Sequence, residues 1–145
     1  NTSGAEFPKA SASFHDRYGG VPKSAIDGRI IFRPNPVNRW TSYGSPNEVD
    51  WLEVDFGKPK TFSRVELHIY DDRGGVQTPT SYKVQYLSGE RWVDVKGLKK
   101  SPETPKGSAK NTATFKKVTS QKIRAVFTNS GKARSGLTEF EVWEK

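Results

Sequence analysis

Asp50-Trp51-Leu52-Glu53-Val54-Asp55-Phe56-Gly57 sets Leu52, Val54 and Phe56 on one side of an extended chain and Glu53 and Asp55 on the other. Successive side chains of a strand point to opposite faces, so a period of two predicts one face on a core and one in water. The same pattern recurs outward from this stretch. Residues 63–70 repeat it with Val65, Leu67 and Ile69, and residues 82–87 with Tyr82, Val84 and Tyr86. Residues 91–95 follow across a Ser88-Gly89 hairpin turn. Segments 111–115, 122–128 (Ile123, Ala125, Phe127) and 138–143 (Phe140, Val142) complete the series. No segment keeps a helical period for more than a turn or two. The reading is an all-β sandwich of antiparallel strands.

The connections are rich in Gly, Pro, Ser and Asn. Residues 1–10 read as a leading strand or arm, 11–23 as a long loop, and 24–28 as a helical or tight turn. Residues 29–37, with Pro34 and Pro36, read as an insertion. Segments 71–79 and 128–136 are the loops best suited to carry a site, and 99–109 reads as a plain exposed basic loop.

The chain has 145 residues, enough for one domain with a real core and too few for two. We expect 1–145 to be a single domain. The absence of any Met and of a recognisable leader suggests a domain cut from a longer secreted protein. No apolar run approaches the roughly 20 residues that span a bilayer. Cysteine is absent, which removes disulfides, thiolate nucleophiles and thiolate metal sites, and favours a bacterial origin for an extracellular module. The net charge is +8, a balance that suits either a Lys-rich solvated surface or an acidic partner.

Catalytic chemistry is sparse. The two histidines, His15 and His68, have no nucleophile near them in sequence, and His68 is expected to be solvent-facing or lightly packed on its strand. Glu53 and Asp55 share a strand face, as solvated carboxylates commonly do, and no nucleophile elbow or Gly-rich phosphate loop occurs. The chain is expected not to be an enzyme. Asp27, in an Asp-Gly turn, and Glu139, opening the last strand, are hard oxygen ligands of the type calcium uses.

Five segments in order carry a family resemblance. Ala25-Ile26-Asp27-Gly28, Asn38-Arg39-Trp40-Thr41-Ser42, the 50–57 stretch quoted above, Val65-Glu66-Leu67-His68-Ile69-Tyr70 and Leu137-Thr138-Glu139-Phe140-Glu141-Val142-Trp143 resemble the discoidin, or coagulation factor V/VIII type C, domain. The likeness runs from about residue 8 to residue 143. It implies an eight-stranded antiparallel jelly-roll sandwich. Cysteine-free bacterial members of that family are mostly carbohydrate-binding modules of family 32, attached to secreted polysaccharide-active enzymes.

The resemblance also implies a structural calcium, held by Asp27 and Glu139 with the carbonyls of Ala25 and Thr138. Arg29 stands where many members place another ligand, and Asn38 is the candidate replacement. It implies a shallow ligand pocket among loops at one end of the sandwich. There, an aromatic ring packs against sugar C–H faces while polar side chains grip hydroxyls. The corresponding positions are Asp72, Arg73 and Gln77 in one loop and Tyr43 after Trp40, with Thr41 in place of the usual His. Lys132 and Arg134 occupy the last loop, and His15, Asp16 and Tyr18 the first. Arg73, Lys132 and Arg134 suggest an acidic polysaccharide, whereas Asp16 and Asp72 suit neutral hydroxyls or an amino sugar. Trp40 and Trp51 read as framework.

The leading expectation is therefore a monomeric, non-catalytic carbohydrate-binding module that anchors a tethered catalytic domain to its glycan. The alternative is an adhesion module for anionic lipid or a protein surface, although the loop tips lack the Leu, Phe or Trp spikes that lipid insertion uses. Nucleic-acid binding is not expected, because the lysines cluster in a loop rather than among strand-face aromatics.

Overall fold

A computed structural model describes residues 7–145. Its strands are β1 (Lys9–Ala12), β2 (Trp40–Thr41), β3 (Val49–Ile69), β4 (Ser81–Ser88), β5 (Arg91–Asp94), β6 (Lys99–Ser101), β7 (Ala109–Thr128) and β8 (Gly136–Trp143), with one 3₁₀ turn at Pro22–Ala25. All pairings between them are antiparallel. They form one eight-stranded network in the order β2-β8-β3-β7-β4-β5, with β1 added to β3 and β6 to β7. Among the described residues no helix is long and apolar enough to cross a membrane.

The sandwich arises because β3 and β7 are 21 and 20 residues long and serve both layers. The first part of β3 and the last part of β7 carry β1, β4 and β5; their other halves carry β8 and β6. Register shifts between Asp55 and Lys60 and between Phe62 and Arg64 bend the ribbon. Gly57, at φ +77°, lies in this bend, where a Cβ would fall 2.7 Å from the Phe7 ring. Segments 50–56 and 63–70, which read as two strands, are thus one continuous strand, as are 111–115 and 122–128. The polar residues between them keep pairing, Lys60 with Ser120 and Thr61 with Thr119, so the corner is a bent ribbon and not a loop.

The inward alternating residues meet between the layers. Trp40 of β2 packs on Phe127 of β7 at 6.0 Å between ring centroids, and Phe62 on Phe115 at 6.4 Å. Leu52, Val65, Leu67, Val84, Ile123 and Leu137 are fully buried around them. Each such side chain contributes about 1.5–3 kcal/mol by leaving water.

Three local expectations are corrected. His68 is buried, because Phe32 of the 29–37 insertion lies over it at 6.5 Å and Glu141 Oε1 meets its Nε2 at 2.8 Å. Trp51 points away from the core and is half-buried on the outer face, where the Arg124 guanidinium lies 5.3 Å from its ring and 4.2 Å from that of Trp92. The 99–109 segment begins with β6, whose Lys100 turns its ammonium onto the Tyr82 ring at 4.3 Å and donates to the Tyr82 carbonyl. Burial holds the Lys100 pKa below the ordinary lysine value.

Because the ribbon doubles back, both ends of β3 come to the same pole. Loops 13–21, 42–48, 71–79 and 129–135 gather there. Asp16 N donates to Thr41 O (3.1 Å), Ser42 N to Ser135 O (2.9 Å), Gln77 N to Arg134 O (2.9 Å) and Asn129 N to Glu48 O (2.9 Å). Asp50, wholly buried, binds three of these loops together. Its Oδ1 accepts from Ser13 Oγ (2.8 Å), Ser45 Oγ (3.2 Å) and Asn47 Nδ2 (2.9 Å), and its Oδ2 from Asn129 Nδ2 (2.9 Å).

Candidate ligand site at the loop pole

A cavity of about 280 Å³ opens among these loops. Asp16 fixes its first wall. Its Oδ1 accepts from the backbone N–H of Tyr18 (2.7 Å) and Gly20 (2.9 Å), and its Oδ2 from the Thr41 hydroxyl. This buried carboxylate is spent on shaping the loop, and it holds Tyr18 out at 76% exposure. Thr41 Oγ1 in turn accepts from Tyr43 N at 3.3 Å. The Tyr18 and Tyr43 rings, 6.2 Å apart and tilted by 57°, form an exposed aromatic wall. Tyr43 can lie there because Gly75 has no side chain: a Cβ would fall 2.3 Å from Tyr43 Cε1.

The opposite wall is built by two carboxylates. Asp71 Oδ1 accepts from Arg73 N (2.8 Å), and its Oδ2 from Thr78 N (2.9 Å) and Thr78 Oγ1 (2.7 Å). Partial burial pushes the Asp71 pKa up, but the Thr78 and Arg73 hydrogen bonds outweigh it and hold the pKa below the ordinary value. Asp72 Oδ1 accepts from Gly74 N (2.7 Å) and Val76 N (3.1 Å), which leaves Oδ2 without a donor among the described residues. Arg39 completes the lining. Its guanidinium lies 4.2 Å over the Tyr70 ring, and Nη1 donates to Pro34 O at 2.9 Å. The cavity thus offers an acceptor, a donor fork and an aromatic wall.

Of the residues expected to bind ligand, Tyr18, Tyr43 and Asp72 line this cavity. Arg73 sits at φ +62° with its side chain in solvent, outside the lining. Gln77 spends Nε2 on Gly74 O (2.8 Å). Arg134 donates Nε to Ser45 O (2.7 Å) and Nη1 to Gly131 O (3.1 Å) and Ala133 O (2.9 Å), so its charge ties loops together. His15 is exposed, with Nδ1 3.1 Å from Asp16 O. Arg39 was hidden inside a fold motif. The signal was its neighbour Trp40: a core tryptophan in a strand turns the adjacent residue to the other face.

The residues expected to hold a metal lie at the last strand. Glu139 is 5% exposed; its Oε2 accepts from Gly28 N at 3.0 Å, while its Oε1 is buried with no partner. Asp27 Oδ1 accepts from Arg29 N (3.0 Å) and Asn38 Nδ2 (3.3 Å). Burial, with Asp27 and Glu141 adding to it and the Gly28 N–H opposing, pushes the Glu139 pKa up to about 7. An orphaned buried carboxylate oxygen beside a second carboxylate fits a hard cation. Ala25 is buried at the same turn, and Thr138 Oγ1 donates to Asn38 O at 2.8 Å. A separate group, Glu66, His68 and Glu141, has ligand atoms within 4.8 Å of one another. Here His68 is already bonded to Glu141, and Glu66 lies 3.6 Å from Arg64 Nε, so the group reads as a polar cluster on the outer face.

The doubled-over β-ribbon thus carries a polar-aromatic hollow at its loop pole. The family model of the F5/8 type C domain matches residues 9–140, and the chain belongs to that family. Solved structures with the same fold include a β-galactosidase and carbohydrate-binding modules. A structure of the Streptococcus pneumoniae β-galactosidase BgaA superposes with a TM-score of 0.90 at 23% identity, covering 100% of this chain and 96% of that one. Chitosan-binding module 1 from the chitosanase/glucanase of Paenibacillus sp. IK-5 gives 0.71 at 26% identity, covering 94% of each. The family 32 module of C. perfringens NanJ, in complex with galactose, gives 0.70 at 21% identity, covering 92% and 91%.

Proposed function

We propose that the chain is a carbohydrate-binding module that holds a neighbouring polysaccharide-active domain on its glycan through the loop-pole cavity. The observation that carries this reading is the convergence of Tyr18, Tyr43, Asp72 and Arg39 on one hollow. The tyrosine wall supplies a surface for sugar C–H faces, Asp72 Oδ2 accepts from one hydroxyl, and Arg39 donates to another. Charges of both signs in one lining favour a neutral sugar with two neighbouring hydroxyls. The cations that suggested an acidic ligand, Arg73, Lys132 and Arg134, lie outside the lining. Support for glycan binding, and for attachment to an enzyme, comes from the chitosan-binding module, which derives from a chitosanase/glucanase, and from the galactose-bound NanJ module.

The module works as a secreted monomer. One shallow site binds weakly, and tethering to the enzyme converts it into a high effective concentration. A calcium ion, held by Asp27 and Glu139, fixes the 25–31 turn to β8; it is structural and takes no part in sugar recognition.

The test is affinity electrophoresis against neutral and acidic polysaccharides in moderate salt. Retardation by a neutral glycan, lost in Tyr43→Ala and Asp72→Asn, is expected. Retardation by none, with binding to anionic liposomes that disappears as salt rises, would replace this function with lipid adhesion.

A further inference from the structure

The Tyr18–Tyr43 pair also borders a second hollow, of about 320 Å³, lined by Phe14, Arg17, Tyr18, Tyr43 and Gly44. We infer that this hollow takes the next residue of the glycan, so that the site reads at least two consecutive sugars across the tyrosine pair. The inference rests on the glycan reading above and extends it to ligand length.

Four observations carry it. First, the two hollows share both tyrosines, so they are neighbours along the same aromatic pair. Each alone is near the lower end of the ~300–1,000 Å³ that small-molecule sites occupy, and together they lie well inside it. Second, the tilt of 57° between the rings gives the two hollows differently directed aromatic surfaces, as successive sugars require. Third, the aromatic side of the new hollow is anchored. The Phe14 carbonyl accepts from Nε1 of the buried Trp40 at 2.9 Å, and Ser13 N donates to Trp51 O at 3.0 Å. Gly44, at φ +89°, leaves the Phe14 ring uncovered on that side.

Fourth, the chemistry of the two hollows differs. The first holds both signs of charge, in Asp72 and Arg39. The second holds Arg17 alone, exposed and without a carboxylate partner among the described residues. A guanidinium has five donors and no acceptor. The second sugar is therefore gripped through its oxygen acceptors, and the first through a donor and an acceptor together.

The test is isothermal titration of this chain with two pairs of probes, galactose with lactose and glucosamine with chitotriose. In the pair that binds, the longer sugar is expected to bind about tenfold more tightly, a gap of 1.4 kcal/mol. Arg17→Ala should remove most of that gain and leave the monosaccharide affinity unchanged, and Phe14→Leu should do the same. Asp72→Asn should weaken both members of the pair. Equal affinity for the short and long sugars, or an Arg17→Ala variant that keeps the full gain, overturns the two-sugar site while leaving single-sugar binding intact. Binding of none of the four probes overturns the two-sugar site, and retardation by none of the polysaccharides overturns the glycan reading as well.

Discussion

The Tyr43 ring occupies the volume that a side chain at residue 75 would need: a Cβ on Gly75 would lie 2.3 Å from Cε1 and 2.6 Å from Cδ1. Tyr43 is 47% exposed, so its ring is free to swing outward. Gly75→Ala is therefore expected to move the ring and spare the fold. Glycan affinity should fall about tenfold or more, while the melting temperature changes by no more than a few degrees. Titration and thermal melting of the one variant check both halves.

Arg39, Arg73 and Arg134 should separate cleanly by substitution. Arg39→Ala removes the donor fork from the cavity and should abolish measurable glycan binding. Arg73→Ala should bind as the unmodified chain does. Arg134→Ala frees the carbonyls of Ser45, Gly131 and Ala133 and should cost about 1–3 kcal/mol in urea unfolding. A loss of affinity in Arg73→Ala at unchanged stability would return that residue to the site.

Asp50→Ala strands four donors in a buried loop junction. The expected cost is about 3 kcal/mol or more. Because those donors belong to the loops at the loop pole, weaker amide protection there should accompany the loss. Hydrogen exchange of residues 42–48 and 129–135 is the measurement.

Asp71 links acidity to the 71–79 loop. Its pKa is lower in the folded chain than in the unfolded one, so its contribution is present above the unfolded value of 3.8 and is lost as pH falls through the folded value. Protection of the Thr78 amide should persist at pH 5 and fall below pH ~3.8. Asp71→Asn should lower it at neutral pH.

Glu139 behaves in the opposite sense. Its pKa rises from 4.5 to about 7 on folding, so in metal-free buffer its contribution is complete below pH 4.5 and is lost as pH rises through 7. Added calcium should raise the melting temperature by several degrees at pH 7.5 and little at pH 5, since a protonated carboxyl is a poor ligand. Glu139→Gln should remove the calcium response at both values. A melting temperature indifferent to calcium at pH 7.5 would exclude the cation.

The strand pattern was legible because burial enforces it: Leu52, Val54, Val65, Leu67, Ile123, Ala125 and Phe127 all face inward as the period of two requires. What the pattern concealed were the joints. Nothing in Gly57-Lys58-Pro59-Lys60-Thr61 distinguishes a bend within a paired strand from a loop, since either is polar and contains Gly and Pro. At the loop pole, Tyr18, Tyr43 and Asp72 were legible as loop residues with the right chemistry. The commitments of Gln77 and Arg134 to backbone carbonyls were not, because an arginine's sequence does not say whether its guanidinium faces a loop or a ligand. His68 read as solvent-facing or lightly packed because the element that covers it, Phe32, comes from a segment with no strand period.

The bent ribbon also settles a question of direction. Lys9, at the start of β1, pairs with Asp55, and Trp143, at the end of β8, pairs with Arg64; both partners flank the bend between the layers. Lys9 and Trp143 therefore both lie at the pole opposite Tyr18 and Tyr43.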